Sequence, residues 1–316
     1  MATENAAPLI VVAGPTASGK SALALELAVR FGGEIVNCDS LQLYRGLNIG
    51  TAKTPPEERR GVPHHLFDIL DPREVATAGD YAERARRILR AISGRDALPV
   101  VVGGTGFYLR ALLEGLAEGP KRDESLRERL MAMEGRRAGR LHRLLRRLDR
   151  ATAARIHAND MNKLIRAIEI CLLSRRPAIE VFQQGKQALE GFRTLKLVLN
   201  PPRKALHERI ATRTRAMYAA GLVAEVQSLL DTGVPAGAKA LESIGYHEAL
   251  EVIAGRMTDA QAEEATLIAT RQYAKRQLTW FRREASAVWI HDFGDAPAAI
   301  KNVTEITHQF LHCLPN

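Results

Sequence analysis

The segment GPTASGKS at Gly14–Ser21 matches the pattern G-x-x-x-x-G-K-[ST] of a phosphate-binding loop, or P-loop. It follows a short apolar run directly and leads into a stretch with helical periodicity, which is the context that the motif requires. Backbone N–H groups of such a loop surround a phosphate, while the helix N-terminus and the lysine add positive charge. The sequence therefore predicts a phosphate or diphosphate site, with the Ser21 hydroxyl placed to bind Mg²⁺. The predicted site consists of Gly14, Pro15, Thr16, Ala17, Ser18, Gly19, Lys20 and Ser21.

Short apolar runs closed by Gly, Asp or Asn recur along the chain and predict buried parallel strands. Helical patterns lie between most of them, and one predicted helix is Lys20–Phe31, ended by Gly32 and Gly33. Strands that alternate with helices predict an α/β fold, a doubly wound parallel sheet with helices on both faces. The predicted strands are Leu9–Ala13, Glu34–Cys38, Pro99–Val102, Leu195–Leu199 and Ala287–Ile290.

The interval between Val102 and Leu195 is too long for one crossover helix and predicts an inserted helical domain. Residues 121–150 contain eleven Lys or Arg and five Asp or Glu. This low acid content favours a surface that binds a polyanion over an ordinary solvated helix face. Arginines spaced three or four apart are expected on one helical face, with leucines on another. They are Arg136, Arg140, Arg143, Arg147 and Arg150, and the leucines are Leu141, Leu144, Leu145 and Leu148.

The expected domains are 1–118, the first part of the core; 119–193, the helical insertion; and 194–316, the second part of the core. Near the end, the stretch RQYAKRQLTWFRRE mixes cations with Tyr273, Trp280 and Phe281, which suits RNA or, alternatively, packing of the aromatics on the sheet.

The composition is that of a globular protein, with 46% hydrophobic and 26% charged residues, and excludes a disordered or fibrous chain. The net charge of +9 makes a polyanionic partner plausible. Cys38, Cys171 and Cys313 lie far apart, so neither a disulfide framework nor a zinc finger is expected. The first residues lack a basic signal-peptide region and no apolar run is long enough to span a bilayer. We therefore expect a cytoplasmic protein that does not bind membranes.

Three predicted strand ends should converge on one crevice, because ligands of open parallel sheets bind beyond the carboxyl ends of the strands. The P-loop follows the first strand, Asp39 and Ser40 follow the second, and Thr105 follows the third. Asp39 is the only acid at these ends, which favours a general base over a turn or N-cap residue. Thr105 is a candidate donor to a phosphate oxygen or a simple turn residue. The third strand lacks the terminal Asp of NTP hydrolases, which argues against an ordinary ATPase.

Arg209 and Arg213 stand four residues apart on one face of the helix predicted after the fourth strand. The planar guanidinium of arginine suits a diphosphate because it binds two oxygens at once. Either arginine could reach the crevice, and the alternative is a surface ion pair with Glu208 or another acid. The spacing does not choose between them.

Seven segments, taken in order, resemble bacterial tRNA dimethylallyltransferases of the IPP transferase family. These enzymes transfer a dimethylallyl group to N6 of the adenosine just 3′ of a tRNA anticodon. The likeness runs from Gly14 to about Arg282 and implies a P-loop NTPase-like core with a helical insertion. It also implies dimethylallyl diphosphate and tRNA as substrates and Mg²⁺ as cofactor, and we expect a monomer. The segments are GPTASGKS, CDSLQLYRGLNIGTAK, VVGGTGFYLRALLEGL, NKLIRAIEI, RTRAMYAAGLVAEV, IGYHEAL and QYAKRQLTWFR.

The resemblance implies three catalytic residues: Asp39 as general base on the adenine amine, Thr105 on the diphosphate or target nucleotide, and Arg213 on the diphosphate. It places the prenyl diphosphate on Thr16–Ser21. The chain departs from the usual family sequence at Asn162-Lys163 and at Glu242-Ser243. The residues implied to contact tRNA are Asp39, Ser40, Leu41, Gln42, Thr105, Arg127, Asn162, Lys163, Leu164, Ile165, Arg166, Glu242, Ser243, Ile244, Gly245, Tyr246 and His247.

Other functions remain open on the residues alone. A P-loop nucleotide kinase, which binds ATP, shares the loop and can use an acid after the second strand. An adenylate isopentenyltransferase that acts on free nucleotide is disfavoured by the large basic insertion. A plain RNA-binding protein would leave the P-loop and Asp39 unexplained.

Overall fold

The computed structural model describes residues 6–183, 187–284 and 286–312. Within them, the centre of the fold is a six-stranded sheet of order β3-β2-β4-β1-β5-β6, in which every neighbouring pair is parallel. Successive residues of the central strand, from Leu9 to Val12, are at most 1% exposed, so both faces of the sheet are covered. This confirms the predicted α/β class. The strands are β1 Ala7–Ala13, β2 Gly33–Asn37, β3 His64–His65, β4 Leu98–Gly103, β5 Phe192–Leu199 and β6 Ala287–Ile290.

All five predicted strands are confirmed, with ends that differ by at most three residues. The sequence did not predict β3, because two histidines form no apolar run. This edge strand pairs with β2 through Ile35 and His64, and His65 Nε2 lies 2.6 Å from Glu34 Oε2.

The helix after the P-loop spans the predicted residues and ends at Gly32, whose left-handed φ of 61° closes the last turn. Two short 3₁₀ helices lie at Pro56–Arg59 and Lys239–Glu242. The α-helices are α1 Lys20–Phe31, α2 Ala78–Ser93, α3 Gly106–Glu114, α4 Glu124–Arg136, α5 Arg140–Leu148, α6 Arg150–Ala153, α7 Met161–Ser174, α8 Ala178–Gln183, α9 Arg203–Ala219, α10 Leu222–Asp231, α11 Tyr246–Ile253, α12 Asp259–Phe281 and α13 Pro297–His312.

The chain divides into two compact units, a core of residues 1–113 and 189–316 and a helical unit of residues 114–188. The helical unit has its own apolar centre, which includes Leu141, Leu145, Leu164 and Ile168. Both boundaries lie earlier than the predicted 119 and 193. β5 begins at Phe192, inside the range predicted for the insertion.

The five arginines expected on one helical face do not share a helix. Arg136 ends α4, three of them lie on α5, and Arg150 begins α6. Gly139, with φ 77°, starts α5, and the Asp149 side chain caps α6 by accepting from Thr152 N. The three- or four-residue spacing of the arginines continues across Gly139 and Asp149, where the helices are interrupted. Periodicity alone therefore did not indicate these two interruptions. The leucine prediction was right, because Leu141 and Leu145 are fully buried.

Cys38 and Cys171 are buried free thiols, and Cys313 lies outside the described residues. The expected lack of a signal peptide also rests mainly on residues 1–5, outside the described part. In the described ranges, no helix combines the length and apolar composition needed to cross a membrane.

Candidate active site

The P-loop lies between β1 and α1, as the motif requires. Two of its side chains close it internally: Ser18 Oγ donates to Pro15 O at 2.8 Å, and Lys20 Nζ donates to the same carbonyl at 2.6 Å. Ala17 has a φ of 62°, in the left-handed region, where an L side chain costs on the order of 1–3 kcal/mol. The loop is therefore held in a strained shape before any ligand arrives.

The Lys20 ammonium lies in the crevice with one acid and one further cation nearby. Burial lowers the pKa of Lys20 to about 7; the Asp39 carboxylate opposes that effect and the Arg213 guanidinium adds to it. A bound diphosphate would favour the charged form of the lysine. Ligand binding and protonation of Lys20 are therefore coupled.

We expect diphosphate binding to take up a proton at about pH 8.5, where the free lysine with its pKa of about 7 is mostly neutral. Affinity should then fall by up to about tenfold per pH unit above pH 7, and the uptake by Lys20 should vanish below about pH 6. Calorimetric titration with inorganic diphosphate, in two buffers of different ionisation heat, measures the uptake. Lys20→Arg stays charged at every pH used, so it corrects for protons bound by the ligand itself. Equal uptake by both proteins would contradict the coupling.

Asp39 lies beyond the end of β2, where Asn37 fixes the backbone. Asn37 Oδ1 accepts from Asp39 N at 2.8 Å, and Asn37 Nδ2 donates to Asp39 O at 3.0 Å. The Asp39 carboxylate accepts from Leu41 N at 2.9 Å through Oδ1, as a turn residue would. Within the described residues, Oδ2 has no hydrogen-bond partner. One oxygen thus holds the turn, and the other is free to accept a proton.

Thr105 links the ends of β2 and β4. Its hydroxyl accepts from Ser40 N at 3.2 Å, and its own N–H donates to Cys38 O at 3.3 Å. Gly103 permits this approach, because a Cβ there would lie 2.0 Å from the Cys38 carbonyl oxygen. The Asp39 and Thr105 segments predicted from sequence are therefore joined directly.

The structure distinguishes the two arginines that spacing left equivalent. Arg213 Nη1 donates to Thr16 Oγ1 at 3.3 Å, and Nη2 donates to Thr51 O at 3.3 Å, so its guanidinium reaches the P-loop. Arg209 instead forms a 2.7 Å ion pair with Asp295 and stacks 3.9 Å above the Phe293 ring. Burial lowers the pKa of Arg213 and nearby Asp39 raises it. Arg213 supplies the cation of the crevice, and Arg209 is the surface ion pair.

A cavity of about 360 Å³ opens between these groups. Sequence reasoning missed much of its wall, including Ile210, Thr214 and Met217, which share one face of α9 at helical spacing with Arg213 nearby. The spacing of these residues from Ile210 to Met217 was the available signal. Tyr273 of α12, which lies in a basic stretch of the sequence, also faces the cavity. The lining residues are Thr16, Ala17, Asp39, Ser40, Leu41, Gly50, Thr51, Ile210, Arg213, Thr214, Met217, Glu242, Ser243, Ile244, Gly245, Thr266, Thr270, Tyr273 and Arg276.

The other aromatics of the C-terminal stretch have packing roles. Phe281 is 1% exposed, and Trp280 meets the Phe107 ring edge-on at a centroid distance of 6.4 Å. The Arg110 guanidinium lies 6.0 Å from the Trp280 ring centre. Phe281 is therefore buried as the packing alternative requires, whereas Trp280 packs against α3 rather than on the sheet.

The core positions implied to contact tRNA differ in exposure. Ser40, Leu41 and the segment 242–245 line the cavity. Gln42 Nε2 donates to Thr51 O at 3.1 Å, and His247 is exposed. Tyr246 is fully buried, and its hydroxyl donates to Glu225 Oε1 at 2.7 Å. The Tyr246 hydroxyl therefore already has a hydrogen-bond partner inside the core.

The positions implied in the helical unit also divide by exposure. Asn162 and Lys163 are exposed near the start of α7, whereas Leu164 and Ile165 belong to the apolar centre.

Arg127 and Arg166 both bind the fully buried Glu169, with Arg127 making two 2.9 Å hydrogen bonds. Burial would raise the pKa of Glu169, but hydrogen bonds from Arg127, Asp123 N and Arg166 bring it down to about 2. The positive charge of Arg127 is therefore paired with Glu169 within the helical unit.

A metal site built from protein side chains alone is not seen in the described ranges. No group of three or more His, Cys, Asp or Glu side chains there could hold an ion.

Comparison with known proteins identifies the family. The IPP transferase family model matches residues 42–284. Curated tRNA dimethylallyltransferases from Solibacter usitatus and Koribacter versatilis are 55% and 53% identical, over 96% and 94% of this chain and 99% and 97% of theirs. The tRNA isopentenylpyrophosphate transferase of Bacillus halodurans has a TM-score of 0.70 at 36% identity, covering 96% of this chain and 95% of that one.

A eukaryotic dimethylallyltransferase acting on tRNA has a TM-score of 0.84 at 27% identity, covering 98% of this chain and 80% of that one. These likenesses extend over the core and the insertion alike, as the sequence resemblance implied. The chain therefore belongs to the IPP transferase family, whose curated relatives are tRNA dimethylallyltransferases.

Proposed function

We propose that this chain transfers a dimethylallyl group from dimethylallyl diphosphate to N6 of the adenosine just 3′ of a tRNA anticodon. The observation that carries the proposal is one cavity lined by the P-loop, Arg213 and Asp39, next to which Ser40 N donates to the Thr105 hydroxyl. The curated relatives named tRNA dimethylallyltransferases support the pair of substrates. An ordinary ATPase is disfavoured because β4 ends at Gly103 without an acid.

The diphosphate side of the cavity would stabilise the leaving group. As the bond between the allylic carbon and oxygen breaks, the electron pair goes to the diphosphate and positive charge spreads over the dimethylallyl unit. Lys20, Arg213 and the P-loop amides supply preorganised positive charge where this negative charge grows. Their positions support departure of a diphosphate leaving group.

The Asp39 side would activate the nucleophile. An adenine amine is a weak nucleophile because its lone pair is delocalised into the ring. Asp39 Oδ2 would accept the amine proton as the new N6–carbon bond forms, and the carboxylate would orient the amine toward the allylic carbon. The adenosine must leave the stack of the anticodon loop to reach the cavity.

The dimethylallyl group would lie against the apolar side of the cavity. Ile210, Thr214 and Met217 present methyl groups and a thioether from α9, next to the arginine that reaches the P-loop. An apolar wall beside a diphosphate site fits a prenyl diphosphate better than the ribose and base of a nucleotide. This wall supports dimethylallyl diphosphate over ATP.

Mg²⁺ fits the oxygen chemistry of this site. Ser21 is exposed in the first turn of α1, and its hydroxyl with the diphosphate oxygens would give the hard oxygen ligands that Mg²⁺ prefers. When bound, the ion would neutralise part of the diphosphate charge. Because the protein offers few ligands of its own, we propose that Mg²⁺ enters with the diphosphate.

The implied tRNA contacts fall on both units, and their chemistry supports a large RNA substrate. The exposed positions are Asn162 and Lys163 in the helical unit and His247 in the core. We also propose a monomer and a cytoplasmic location, where its tRNA substrate is found.

The deciding experiment incubates the protein with Mg²⁺, labelled dimethylallyl diphosphate and bulk tRNA, followed by nucleoside digestion. Label on adenosine is the expected result. A parallel reaction replaces the prenyl donor with labelled ATP and supplies nucleotides as acceptors. Phosphoryl transfer in the ATP reaction, together with no prenyl transfer in the first reaction, would indicate a nucleotide kinase instead.

We expect the arginines of α5 to supply part of the tRNA affinity through phosphate contacts. Replacing Arg140, Arg143 and Arg147 with Gln should reduce the slope of log affinity against log salt by about 2–3. The matched control neutralises three exposed arginines of α2 at similar spacing, namely Arg84, Arg87 and Arg90. Filter binding at several salt concentrations measures both slopes. An unchanged slope of log affinity against log salt in the α5 variant would mean that these arginines only form a solvated helix face. Arg127 is unsuitable here because its removal takes two hydrogen bonds from the buried Glu169.

A further inference from the structure

The side chain of Gln277 lies between the P-loop and the loop that carries Thr105. It comes from α12, is 6% exposed, and uses both ends of its amide. Its Oε1 accepts from Thr16 N at 2.8 Å, and its Nε2 donates to Gly104 O at 3.0 Å. A residue 261 positions away in sequence thus bridges two of the three strand ends that form the crevice.

The two groups that Gln277 holds are each next to residues of the proposed reaction. Thr16 accepts from Arg213 and precedes the strained Ala17. Gly104 precedes Thr105, which binds the Asp39 segment through Ser40 N. The strands β1 and β4 already pair up to Ala13 and Gly103, and the Gln277 amide adds a second connection between the loops that follow them.

The residue next to the Gln277 amide is a glycine, which leaves space for the amide. A Cβ at Gly104 would lie 2.2 Å from Gln277 Nε2, so the position has no room for a side chain. One turn earlier on α12, burial raises the pKa of the Tyr273 hydroxyl, and the neighbouring Thr105 and Gln277 side chains oppose that effect. Tyr273 also faces the cavity.

We propose that Gln277 is a positioning residue that holds the P-loop in its binding shape and at a fixed distance from Thr105. The inference rests on the proposed function for its effect on transfer, but its effect on diphosphate binding needs the P-loop alone. Loss of the bridge lets Thr16 and Ala17 relax toward less strained backbone angles. The amides and cations then no longer converge on the diphosphate, and the reacting groups lose their alignment.

The first variant is Gln277→Met, which keeps the length of the side chain and removes both hydrogen bonds. We expect calorimetry with Mg²⁺ and inorganic diphosphate to show about tenfold weaker binding, from the loss of two hydrogen bonds. Single-turnover transfer at saturating tRNA should fall by about 10–10², whereas tRNA affinity should stay within about twofold. The matched control is Gln227→Met, the same change at an exposed glutamine of α10.

The second variant, Gln277→Glu, gives a readout that loss of stability alone would not give. A protonated carboxyl reproduces both hydrogen bonds, whereas an ionised one repels Gly104 O. Its transfer rate and diphosphate affinity, each as a ratio to wild type at the same pH, should therefore rise on acidification. The ratio is needed because Asp39, Lys20, Arg213 and Tyr273 face the same crevice.

Two results would overturn the proposal: binding and transfer by Gln277→Met within about twofold of wild type, or a Gln277→Glu ratio that is flat with pH. A lower melting temperature with unchanged diphosphate affinity of the folded protein would make Gln277 merely structural. If wild type transfers no prenyl label, the proposed function fails. The diphosphate titrations of the same variants would still decide the role of Gln277.

Discussion

Asp39→Asn should lower single-turnover transfer by about 10²–10⁴, the usual effect of removing a general base. The amide keeps the shape of the carboxylate, and its oxygen can still accept from Leu41 N, so the turn after β2 should persist. It cannot take up the proton of the adenine amine. Diphosphate should still bind through Lys20, Arg213 and the P-loop amides, although loss of the Asp39 carboxylate removes one effect that raises the pKa of Lys20. The measurement is transfer of labelled dimethylallyl at saturating tRNA, with separate titrations of tRNA and diphosphate.

A matched acid-to-amide change, Asp231→Asn at an exposed position on α10, should leave transfer unchanged. If Asp39→Asn transferred within about threefold of wild type, Asp39 would be a turn residue only. A loss confined to tRNA affinity would likewise assign it to binding rather than to proton transfer.

Arg213→Met should lower transfer by about 10²–10³, as expected for one preorganised donor to a developing negative charge. The crevice would keep Lys20 and the P-loop amides but lose the only guanidinium that contacts Thr16 within the described chain. Diphosphate should also bind more weakly, since the lost charge acts on the ground state as well. Arg213→Lys, which keeps a charge without the planar fork, should recover part of both.

Arg209→Met provides the matched control, one turn earlier on α9. Its partner Asp295 is on the surface, so loss of this ion pair should change transfer by no more than about threefold. Equal losses in the two variants would mean that the helix face, rather than the Arg213 guanidinium, carries the effect. Single-turnover rates and diphosphate titrations of all three proteins decide it.

The parts of the site that follow strand ends could be predicted from sequence. A P-loop has fixed spacing, and in a parallel sheet the residues after each strand must meet at one edge, which places Asp39 and Thr105. The structure joins these segments, although their roles stay predictions. The choice between Arg209 and Arg213 needed coordinates, because both fit the helix spacing and only packing shows which one turns toward Thr16.

The missed parts depend on contacts between distant segments. In the sequence, Gln277 is one polar residue in a basic helix. No neighbouring residue indicates that its amide forms hydrogen bonds with Thr16 and Gly104. The arginine-rich helices were joined in error because charge periodicity continued across Gly139 and Asp149. Periodicity reports which residues share a face but not where the backbone breaks.

The order of strands in the sheet also has a consequence for synthesis of the protein. β1 pairs with β5 along its whole length, from Ala7 opposite Phe192 to Ala13 opposite Val198, although the helical unit lies between them in the chain. A nascent chain that has not yet left the ribosome past Leu199 has only one neighbour for its central strand. The helical unit has its own apolar centre and can form first. The sheet forms later, because β1 pairs with β5, a strand far from it in sequence. Ribosome-bound chains that stop before β5 should therefore protect residues 114–188 from protease well before they protect β1.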